Sequence, residues 1–237
     1  MDILEKKYRQ VIGHIQILHL FKINMVHTIA LIGISGKLGR AASKALLEHQ
    51  NIALRGTCRD ISKLPEWLTT SSQATLTQAG PYDAEALRAV VRGSDIVICC
   101  YSADPETMLN GQKLLIDLCE EEGVPRYMAS DFTTDYNGLA WGDFPWKEPM
   151  KHVKAYLDTK PKVKGVHILV GLFVETFLAG FGVWDPTHAK LFYWDSPEEN
   201  VWDFTTYASA ARLIAAVAMD PSASGTLTCK IVHHMRR

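Results

Sequence analysis

A glycine-rich turn between an apolar strand and a helix is the feature that most constrains the fold of this chain. The apolar residues 29–32 lead into Gly33, and two further glycines follow at Gly36 and Gly39, before a stretch of helix-forming residues. In this spacing one glycine allows a sharp turn, another lets the backbone approach a pyrophosphate, and the last lets the helix pack closely on the sheet. Because the helix N-terminus also presents free N–H groups, the turn predicts a dinucleotide site. A strand, turn and helix with only a structural role is the alternative.

Strands and helices are predicted to alternate along the chain after residue 25. The strands are at residues 27–32, 52–57, 74–77, 95–100, 126–129 and 166–170, and the helices are at residues 37–49, 84–91 and 106–122. Nearly continuous apolar runs are typical of parallel strands that are buried on both faces. The alternation predicts an α/β fold with a doubly wound parallel sheet of the Rossmann type, and it assigns residues 25–170 to a dinucleotide-binding domain.

The two ends of the chain lie outside this pattern. Residues 1–24 are predicted to be an N-terminal appendage, either without a role of its own or as a helix that docks on the domain or on a partner. Residues 171–237 are assigned to a small C-terminal substrate lobe, interleaved with the last elements of the sheet. Within it, residues 185–203 are rich in aromatic side chains. A strand leading into a helix is predicted at residues 204–219, and one more strand at residues 227–232.

The composition argues against several kinds of partner. A net charge of −1 leaves no basic face, so we expect no direct contact with nucleic acid. The apolar-rich residues 11–23 are too few and too polar to span a bilayer, so we expect no membrane anchor. The five cysteines lack a zinc-ligand spacing and the nine histidines form no H-E-x-x-H motif, so we expect no metal. Cysteines within apolar, strand-like runs favour reduced thiols and a cytoplasmic protein.

The residues after the second predicted strand indicate which dinucleotide is bound. An NAD site usually places a carboxylate there to hold the ribose hydroxyls, whereas an NADP site often places an arginine there for the 2′-phosphate. Here the strand runs into Arg59, and Asp60 and Lys63 follow. Arginine binds phosphate in a bidentate manner and Lys63 adds a second cation, while Asp60 is expected to turn away from the ribose. The sequence therefore favours NADP over NAD. The alternative is that these cations only solvate a loop.

Several further segments carry a family resemblance. They are T-C-R-D at residues 57–60, G-S-D-I-V-I at residues 93–98, V-P-R-Y-M-A-S-D-F at residues 124–132, and G-L-F at residues 171–173. Together with the glycine turn they resemble the NmrA-like and isoflavone-reductase-like branch of the atypical short-chain dehydrogenases. The resemblance implies an NADP-binding Rossmann domain and a smaller C-terminal lobe that closes over the substrate. Members of the family usually continue for several more elements, so an intact lobe and a truncated lobe both remain open for this chain.

The resemblance also implies a function. The characterised enzymes of the family reduce aromatic, phenylpropanoid-like substrates, so we expect an NADP-dependent reductase that transfers a hydride to a small aromatic or carbonyl substrate. Other members bind the dinucleotide without turnover, so a non-catalytic, NAD(P)-sensing regulator with a protein partner is the alternative, and a degenerate member with neither function is a third. The expected cofactor-binding residues are Gly33, Ser35, Gly36, Lys37, Leu38, Gly39, Arg59, Lys63, Tyr101, Ser130 and Phe173.

A Y-x-x-x-K pair, Tyr156 and Lys160, matches the catalytic pair of ordinary short-chain dehydrogenases, and Ser130 would complete their triad. In those enzymes the tyrosine transfers the proton and the lysine lowers the pKa of the tyrosine. In this chain Pro161 and a strand follow the pair almost at once. Tyr156 is therefore predicted to lie in the last turns of its helix, where it packs instead of reaching the cofactor.

The resemblance points instead to a lysine at the opening of this helix, as general base or polariser near the nicotinamide. Lys151 is the nearest match and is the predicted catalytic residue. The register against the following apolar positions leaves Lys147 and Lys154 as alternatives. The alternative that this lysine is only a solvated surface residue at the start of the helix also remains open.

Overall fold

Parallel strands form the centre of the molecule. The computed structural model describes residues 26–180, 182–192 and 203–228. The strands are β1 (His27–Ile32), β2 (Ile52–Cys58), β3 (Ala74–Gln78), β4 (Ile96–Cys99), β5 (Arg126–Met128), β6 (Lys164–Leu169), β7 (Leu172–Phe173), β8 (Trp184–Asp185), β9 (Lys190–Leu191), β10 (Phe204–Thr205) and β11 (Gly225–Thr228). Seven of them form one sheet in the order β11-β6-β5-β4-β1-β2-β3, and all neighbours in it are parallel. The predicted parallel sheet is confirmed.

Helices cover both faces of this sheet. They are α1 (Lys37–Leu47), α2 (Glu66–Thr69), α3 (Ala84–Val91), α4 (Gln112–Glu122), α5 (Glu148–Leu157), α6 (Val174–Gly180) and α7 (Tyr207–Met219). Buried residues of α1 and α7 pack with strand side chains on one face, and those of α3, α4 and α5 pack on the opposite face. The doubly wound arrangement expected from the alternation is thereby confirmed.

Strand β4 shows why continuous apolar runs mark these strands. Ile96 and Ile98 belong to the core cluster beneath α1 and α7, whereas Val97 and Cys99 belong to the cluster on the other face. All four residues are fully buried. Because successive side chains of a strand point to opposite faces, a strand that is covered on both sides needs an apolar residue at every position.

Most of the predicted boundaries in the sheet region are correct to within one or two residues, but one helix differs in kind. The helix predicted at residues 106–122 opens with a π-helical segment, Thr107–Gly111, before it continues as α4. A side chain at the end of this segment would be tight, because a Cβ on Gly111 would lie 3.2 Å from the ring of Tyr101. The bulged turn thus lets the helix pass close to the loop that follows β4.

The C-terminal part of the described chain returns to the sheet. The strand and helix predicted at residues 204–219 are present as β10 and α7, and β11 adds an edge strand beside β6. Two small pairings accompany them: β10 pairs with β7 in parallel, and β8 pairs with β9 in antiparallel fashion.

Some predictions fall on residues that the structure does not describe. The N-terminal appendage at residues 1–24 and the end of the last predicted strand, residues 229–232, lie outside the described residues, as does most of the aromatic-rich segment, residues 193–202. The domain boundary after residue 170 stays a prediction. No helix of the described part of the chain has the length and apolar character needed to cross a membrane.

Candidate functional site

Two glycines shape the turn that leaves β1. Gly33 has a φ of +81°, a left-handed conformation that favours glycine, and an added Cβ would lie 2.9 Å from the carbonyl oxygen of Cys100 at the end of β4. Gly39 lies in the first turn of α1, where a Cβ would overlap the carbonyl oxygen of Gly33 and come within 2.9 Å of the Cα of Ile34. These glycines allow the sharp turn and the close packing of α1 on the sheet.

Gly36 meets a different requirement. Its backbone is extended, and the nearest protein atom to an added Cβ is the carbonyl oxygen of Gly33 at 3.5 Å, which is ordinary contact. The fold itself therefore tolerates a side chain at this position. Gly36 is also the N-cap of α1 and has no side chain to accept the N–H groups of the first turn, formed by Lys37, Leu38 and Gly39. These donors and the positive end of the helix dipole suit a phosphate group.

A pocket of about 470 Å³ opens beside this turn, at the end of β2. It is lined by Ser35, Arg40, Arg59, Asp60 and Lys63. Three of these side chains are cationic and one is anionic at neutral pH, so the pocket has an excess of positive charge. Charge and lining both fit a phosphate that lies beyond the pyrophosphate.

The cations of this pocket are held differently. Lys63 is exposed and forms an ion pair with Asp60 at 3.3 Å. Hydrogen bonds from Ser62 and the neighbouring Lys63 lower the pKa of the Asp60 carboxyl. Arg40 donates to the carbonyl oxygen of Lys63 at 2.9 Å, and Arg59 is exposed. Arg40 was not predicted as a site residue, although its place in the first turn of the helix, directly after Gly39, was the available signal.

Tyr101 and Ser130 follow the neighbouring strands β4 and β5. The Ser130 hydroxyl donates to the carbonyl oxygen of Tyr101 at 2.7 Å, and the Ser130 N–H donates to the side chain of Gln112 at 2.9 Å. The ring of Tyr101 lies beside Gly33, 3.4 Å from an added Cβ, and burial raises the pKa of its phenol. Both predicted residues therefore lie at the carboxyl edge of the sheet, and the hydroxyl of Ser130 holds two loops together there.

Phe173 lies on the next part of the same edge. The chain turns at Gly171, which has a φ of +76°, and Phe173 then stacks on Tyr207 with a ring separation of 4.3 Å. The N–H groups of Val170 and Gly171 donate to the carbonyl oxygen of Thr133 at 2.9 and 3.1 Å. These bonds join the turn after β6 to the loop after β5.

Lys147 is the lysine at the opening of α5. Helix α5 begins at Glu148, with Pro149 in its first turn, so Lys147 occupies the N-cap position. Its ammonium group donates to the hydroxyl of Thr133, a residue bridged to Leu169 at the end of β6. Burial lowers the pKa of Lys147. A half-buried lysine thus lies at the carboxyl edge of the sheet.

Lys151, the predicted catalytic residue, lies one helical turn further into α5. Its ammonium group donates to the carbonyl oxygen of Ala140 at 2.7 Å and lies 5.0 Å from the ring centre of Trp141. Lys154 forms an ion pair with Asp158 at 3.1 Å. Lys151 therefore fastens the long loop to α5 in this structure, and its role in proton transfer stays a prediction.

The Y-x-x-x-K pair lies at the other end of α5. The Tyr156 hydroxyl donates to Asp117 of α4 at 2.6 Å, and the Lys160 ammonium contacts the same carboxylate at 2.6 Å and the Tyr156 hydroxyl at 3.0 Å. Lys160 shortly precedes β6, so this cluster lies near the amino edge of the sheet, opposite the glycine turn. The structure agrees with the packing role expected for Tyr156.

A buried polar cluster includes residues of the loop after β5, the loop whose Thr133 binds Lys147. Asp131 contacts the Nδ1 atom of His167, on β6, at 2.6 Å, and it accepts a hydrogen bond from Tyr136 at 3.1 Å. All three residues are buried. Phe132, next to Asp131, has a φ of +33°, an unusual value for a residue other than glycine. None of these side chains was predicted to belong to the site, because the contact between Asp131 and His167 spans 36 residues of sequence.

A family profile described as NAD(P)H-binding matches residues 33–166, more than half of the 237-residue chain. The chain belongs to this NAD(P)H-binding family. The match includes the glycine turn, the Arg59 pocket and the loop that leads into α5. No curated protein matches the sequence.

Solved structures of the same fold agree with this assignment. AtPrR2 with NADP+ and (+)pinoresinol is 19% identical, with a TM-score of 0.66 over 86% of this chain and 69% of that chain. Isoflavone reductase is 16% identical, with a TM-score of 0.68 over 87% of this chain and 70% of that chain. The Bordetella bronchiseptica enzyme WbmH, in complex with NAD+, is 15% identical, with a TM-score of 0.63 over 86% and 76%. The neighbours share the fold expected from the resemblance to isoflavone reductases.

Among the described residues, no group of three or more His, Cys, Asp or Glu side chains is arranged to hold a metal ion.

Proposed function

We propose that this protein is an NADP-dependent reductase that transfers a hydride to a small aromatic or carbonyl substrate. The observation that carries the proposal is the placement of two features at one edge of the sheet: the uncapped glycine turn, at the end of β1, and the half-buried Lys147, beside the end of β6. In open parallel sheets, ligands bind at the carboxyl ends of the strands. A proton-transfer group thus lies on the side of the sheet where the dinucleotide would bind.

The pocket at the end of β2 supports NADP as the cofactor. Arg40, Arg59 and Lys63 surround one carboxylate, Asp60, which is already engaged by Ser62 and Lys63. A 2′-phosphate would meet the excess of positive charge, whereas a ribose with two free hydroxyls would leave it without a counter-charge. The first turn of α1 would hold the pyrophosphate, and Tyr101 and Phe173 lie further along the same edge.

The reaction needs a hydride and a proton. Held by the glycine turn and the first turn of α1, NADPH would supply the hydride to the electrophilic carbon of the substrate. We propose that the Lys147 ammonium gives the balancing proton to the oxygen or carbon that gains the electron pair, and that it recovers a proton from solvent. The hydroxyl of Thr133 holds the ammonium in place before the substrate binds. Burial lowers the pKa of Lys147, which brings its proton affinity closer to neutral pH and favours proton transfer.

Aromatic side chains near Lys147 support an aromatic substrate. Phe144, Trp141 and Trp146 are exposed in the loop between β5 and α5, and Trp146 keeps 72% of its surface accessible. The Lys147 ammonium lies 5.8 Å from the ring centre of Phe144. Large apolar rings beside a polar reacting group are typical of sites that hold an aromatic ligand.

The direct test measures NADPH oxidation with a panel of aromatic aldehydes and enones, using wild-type protein and three lysine variants. Lys147→Met should lower turnover by roughly 10²–10⁴-fold, with the affinity for NADPH little changed. Lys154→Met is the matched control on the outer face of α5, and it should keep wild-type turnover. Lys151→Met tests the residue that the sequence resemblance favoured; a loss at Lys151 with full activity at Lys147 would transfer the proton-donor role to Lys151.

A second outcome leads to the other function implied by the resemblance. If the wild-type protein binds NADPH tightly but oxidises it with no member of the panel, the reductase proposal fails for these substrates. Pull-down of a protein partner that depends on NADPH would then support the regulator.

We further propose a cytoplasmic location. Four cysteines of the described chain, Cys58, Cys99, Cys100 and Cys119, are unpaired and buried, and free thiols persist in reducing compartments. Fractionation of cells that express the tagged protein tests this, and recovery in an exported fraction would contradict it.

A further inference from the structure

The most unusual polar group outside the glycine turn is the buried carboxylate of Asp131. Its side chain has no exposed surface, and the His167 ring beside it is 2% exposed. A buried carboxylate is costly unless charge and hydrogen bonds compensate it. Among the described residues, its hydrogen-bond partners are Tyr136 and His167, which both contact Oδ2, while Oδ1 has no partner.

Within the described residues, the other ring nitrogen of His167 makes no hydrogen bond that would compensate its burial. His167 Nε2 is buried and has no hydrogen-bond partner in the described part of the chain. An N–H at that atom would leave a buried donor unsatisfied, so the hydrogen-bond geometry favours the tautomer with its proton on Nδ1, donated to Asp131. His167 orients the carboxylate through Nδ1, and a cation from another element would balance the charge of Asp131.

Lys147 is a cation bound to the same loop as this carboxylate, although the two groups form no direct ion pair. Its ammonium group is held by Thr133, in the same loop as Asp131, and the charge of Asp131 favours the protonated form of Lys147 and opposes the effect of burial on the pKa of the lysine. The next residue, Glu148, is already engaged by Lys151 and by the N–H of Gly142.

Other charged groups act more remotely. Asp135 and Asp158 act on Tyr136, whose pKa is raised mainly by burial. They act on this tyrosine, whereas the charge of Asp131 acts on Lys147.

We propose that Asp131 is the counter-ion of Lys147, acting across the loop they share and without a direct ion pair, and that His167 and Tyr136 are positioning residues that hold its carboxylate. The charge of Asp131 favours the protonated, donating form of Lys147 and offsets part of the effect of burial on its pKa. Asp131 itself need not touch substrate or cofactor. The inference deepens the proposed reductase and rests on the proton-donor role of Lys147, but its central claim concerns the free protein.

The first experiment therefore uses the full chain without cofactor or substrate. Nuclear magnetic resonance of protein that is isotope-labelled at the lysine ε-carbons follows the titration of each ammonium, and Lys147→Arg assigns the signal of Lys147. Asp131→Asn should lower the pKa of Lys147 by about one pH unit or more, because a nearby opposite charge is removed. Asp117→Asn is the matched control, since that carboxylate also contacts a lysine and a tyrosine, Lys160 and Tyr156, but at the other end of α5. It should leave Lys147 unchanged.

A second variant keeps the test decisive if Asp131→Asn does not fold. Tyr136→Phe removes one of the two contacts that hold the carboxylate, so the pKa of Lys147 should fall, by less than in Asp131→Asn. An unchanged or raised value in folded Tyr136→Phe, or an unchanged value in folded Asp131→Asn, would overturn the proposal.

The pH profile connects the inference to activity. If turnover requires the protonated lysine, activity falls as pH rises through the pKa of Lys147, and Asp131→Asn should move this alkaline limb to lower pH by the amount measured in the free protein. A shifted lysine titration without any reductase activity would leave the counter-ion role standing and refute only the proposed reaction. If the activity of a folded Asp131→Asn enzyme falls at the same pH as that of the wild type, the link between Asp131 and the reaction is refuted.

Discussion

At the scale of single residues, the glycines of one turn differ in what they allow. Gly39 makes room for protein atoms, because an added Cβ would collide with the backbone of Gly33 and Ile34. The protein atoms around Gly36 would admit a Cβ at ordinary contact distance. The space at Gly36 is therefore available to a bound ligand. A residue that must be glycine for binding and one that must be glycine for folding can therefore be separated by experiment.

Gly36→Val should abolish or strongly weaken NADPH binding in a protein that still folds. The branched side chain would occupy the space where backbone N–H groups meet phosphate, and we expect a loss of at least about tenfold in affinity, or about 1.4 kcal/mol. The free energy of unfolding should fall by no more than about 1 kcal/mol. Fluorescence titration and urea denaturation measure the two quantities.

Gly39→Ala should show the opposite pattern. Overpacking against the β1–α1 turn should lower the free energy of unfolding by about 1–3 kcal/mol. Equal stability losses in the two variants, or wild-type NADPH affinity in Gly36→Val, would contradict the assignment of this turn.

The cofactor preference is also decided by single side chains. Arg59→Ala should weaken NADPH relative to NADH by about 1.5–3 kcal/mol, as expected for a lost charge-assisted contact with phosphate. Lys63→Ala should have a smaller effect than Arg59→Ala, because Lys63 is exposed and already paired with Asp60. Paired titrations with both dinucleotides measure the difference. A wild-type protein that prefers NADH would refute the 2′-phosphate site.

At the scale of elements, one buried side chain fastens the last helix to the sheet. Arg126 on β5 donates to the carbonyl oxygens of Val217, Ala218 and Asp220 at 3.1, 2.7 and 2.6 Å, at the C-terminal end of α7. The guanidinium therefore satisfies carbonyl groups that a helix end leaves unpaired, and its charge opposes the negative end of the helix dipole.

Arg126→Met should lower the free energy of unfolding by about 2–4 kcal/mol, because buried carbonyl oxygens lose a charged donor. Arg126→Lys should fall between the wild type and this variant, since it keeps the charge but not the fork of donors. Arg212→Met, at an exposed position of α7, is the control and should change stability by less than about 0.5 kcal/mol. A small loss in Arg126→Met, measured by urea denaturation, would show that α7 is held by its apolar face alone.

The elements also show which parts of the structure local sequence can reveal. The apolar runs and the glycine turn are local signals, and they predicted β1, β2, β4 and the start of α1 to within one or two residues. The start of α5 was harder to predict, because Pro145 and Pro149 both permit a helix start, and this register decides whether Lys147 or Lys151 reaches the sheet edge. The contact of Asp131 with His167 and that of Arg126 with α7 join distant segments, so no periodicity or motif marks them.

At the scale of the whole molecule, the sheet joins two cores that contain cysteines. Cys58 and Cys100 lie in the cluster beneath α1 and α7, whereas Cys99 and Cys119 lie on the opposite face. Burial raises the pKa of Cys99 to about 12 and also raises the pKa values of the other three thiols. Since the thiolate is the reactive form, the native protein should react very slowly with a thiol reagent. Labelling then reports opening of the structure on both faces.

If the two cores open only together, the four thiols should show one common free energy of protection. Saturating NADPH should raise it equally at all four, by about 2.7 kcal/mol at roughly 100 times Kd, because the ligand binds only the folded state.

Labelling followed by mass spectrometry of peptides measures each thiol, in protein where Cys229, outside the described residues, is replaced by serine. Gly36→Val should lose the stabilisation by NADPH at every thiol. If NADPH protected only Cys100, whose carbonyl lies against the glycine turn, the dinucleotide would be tightening one loop, and the two faces would not unfold as a unit.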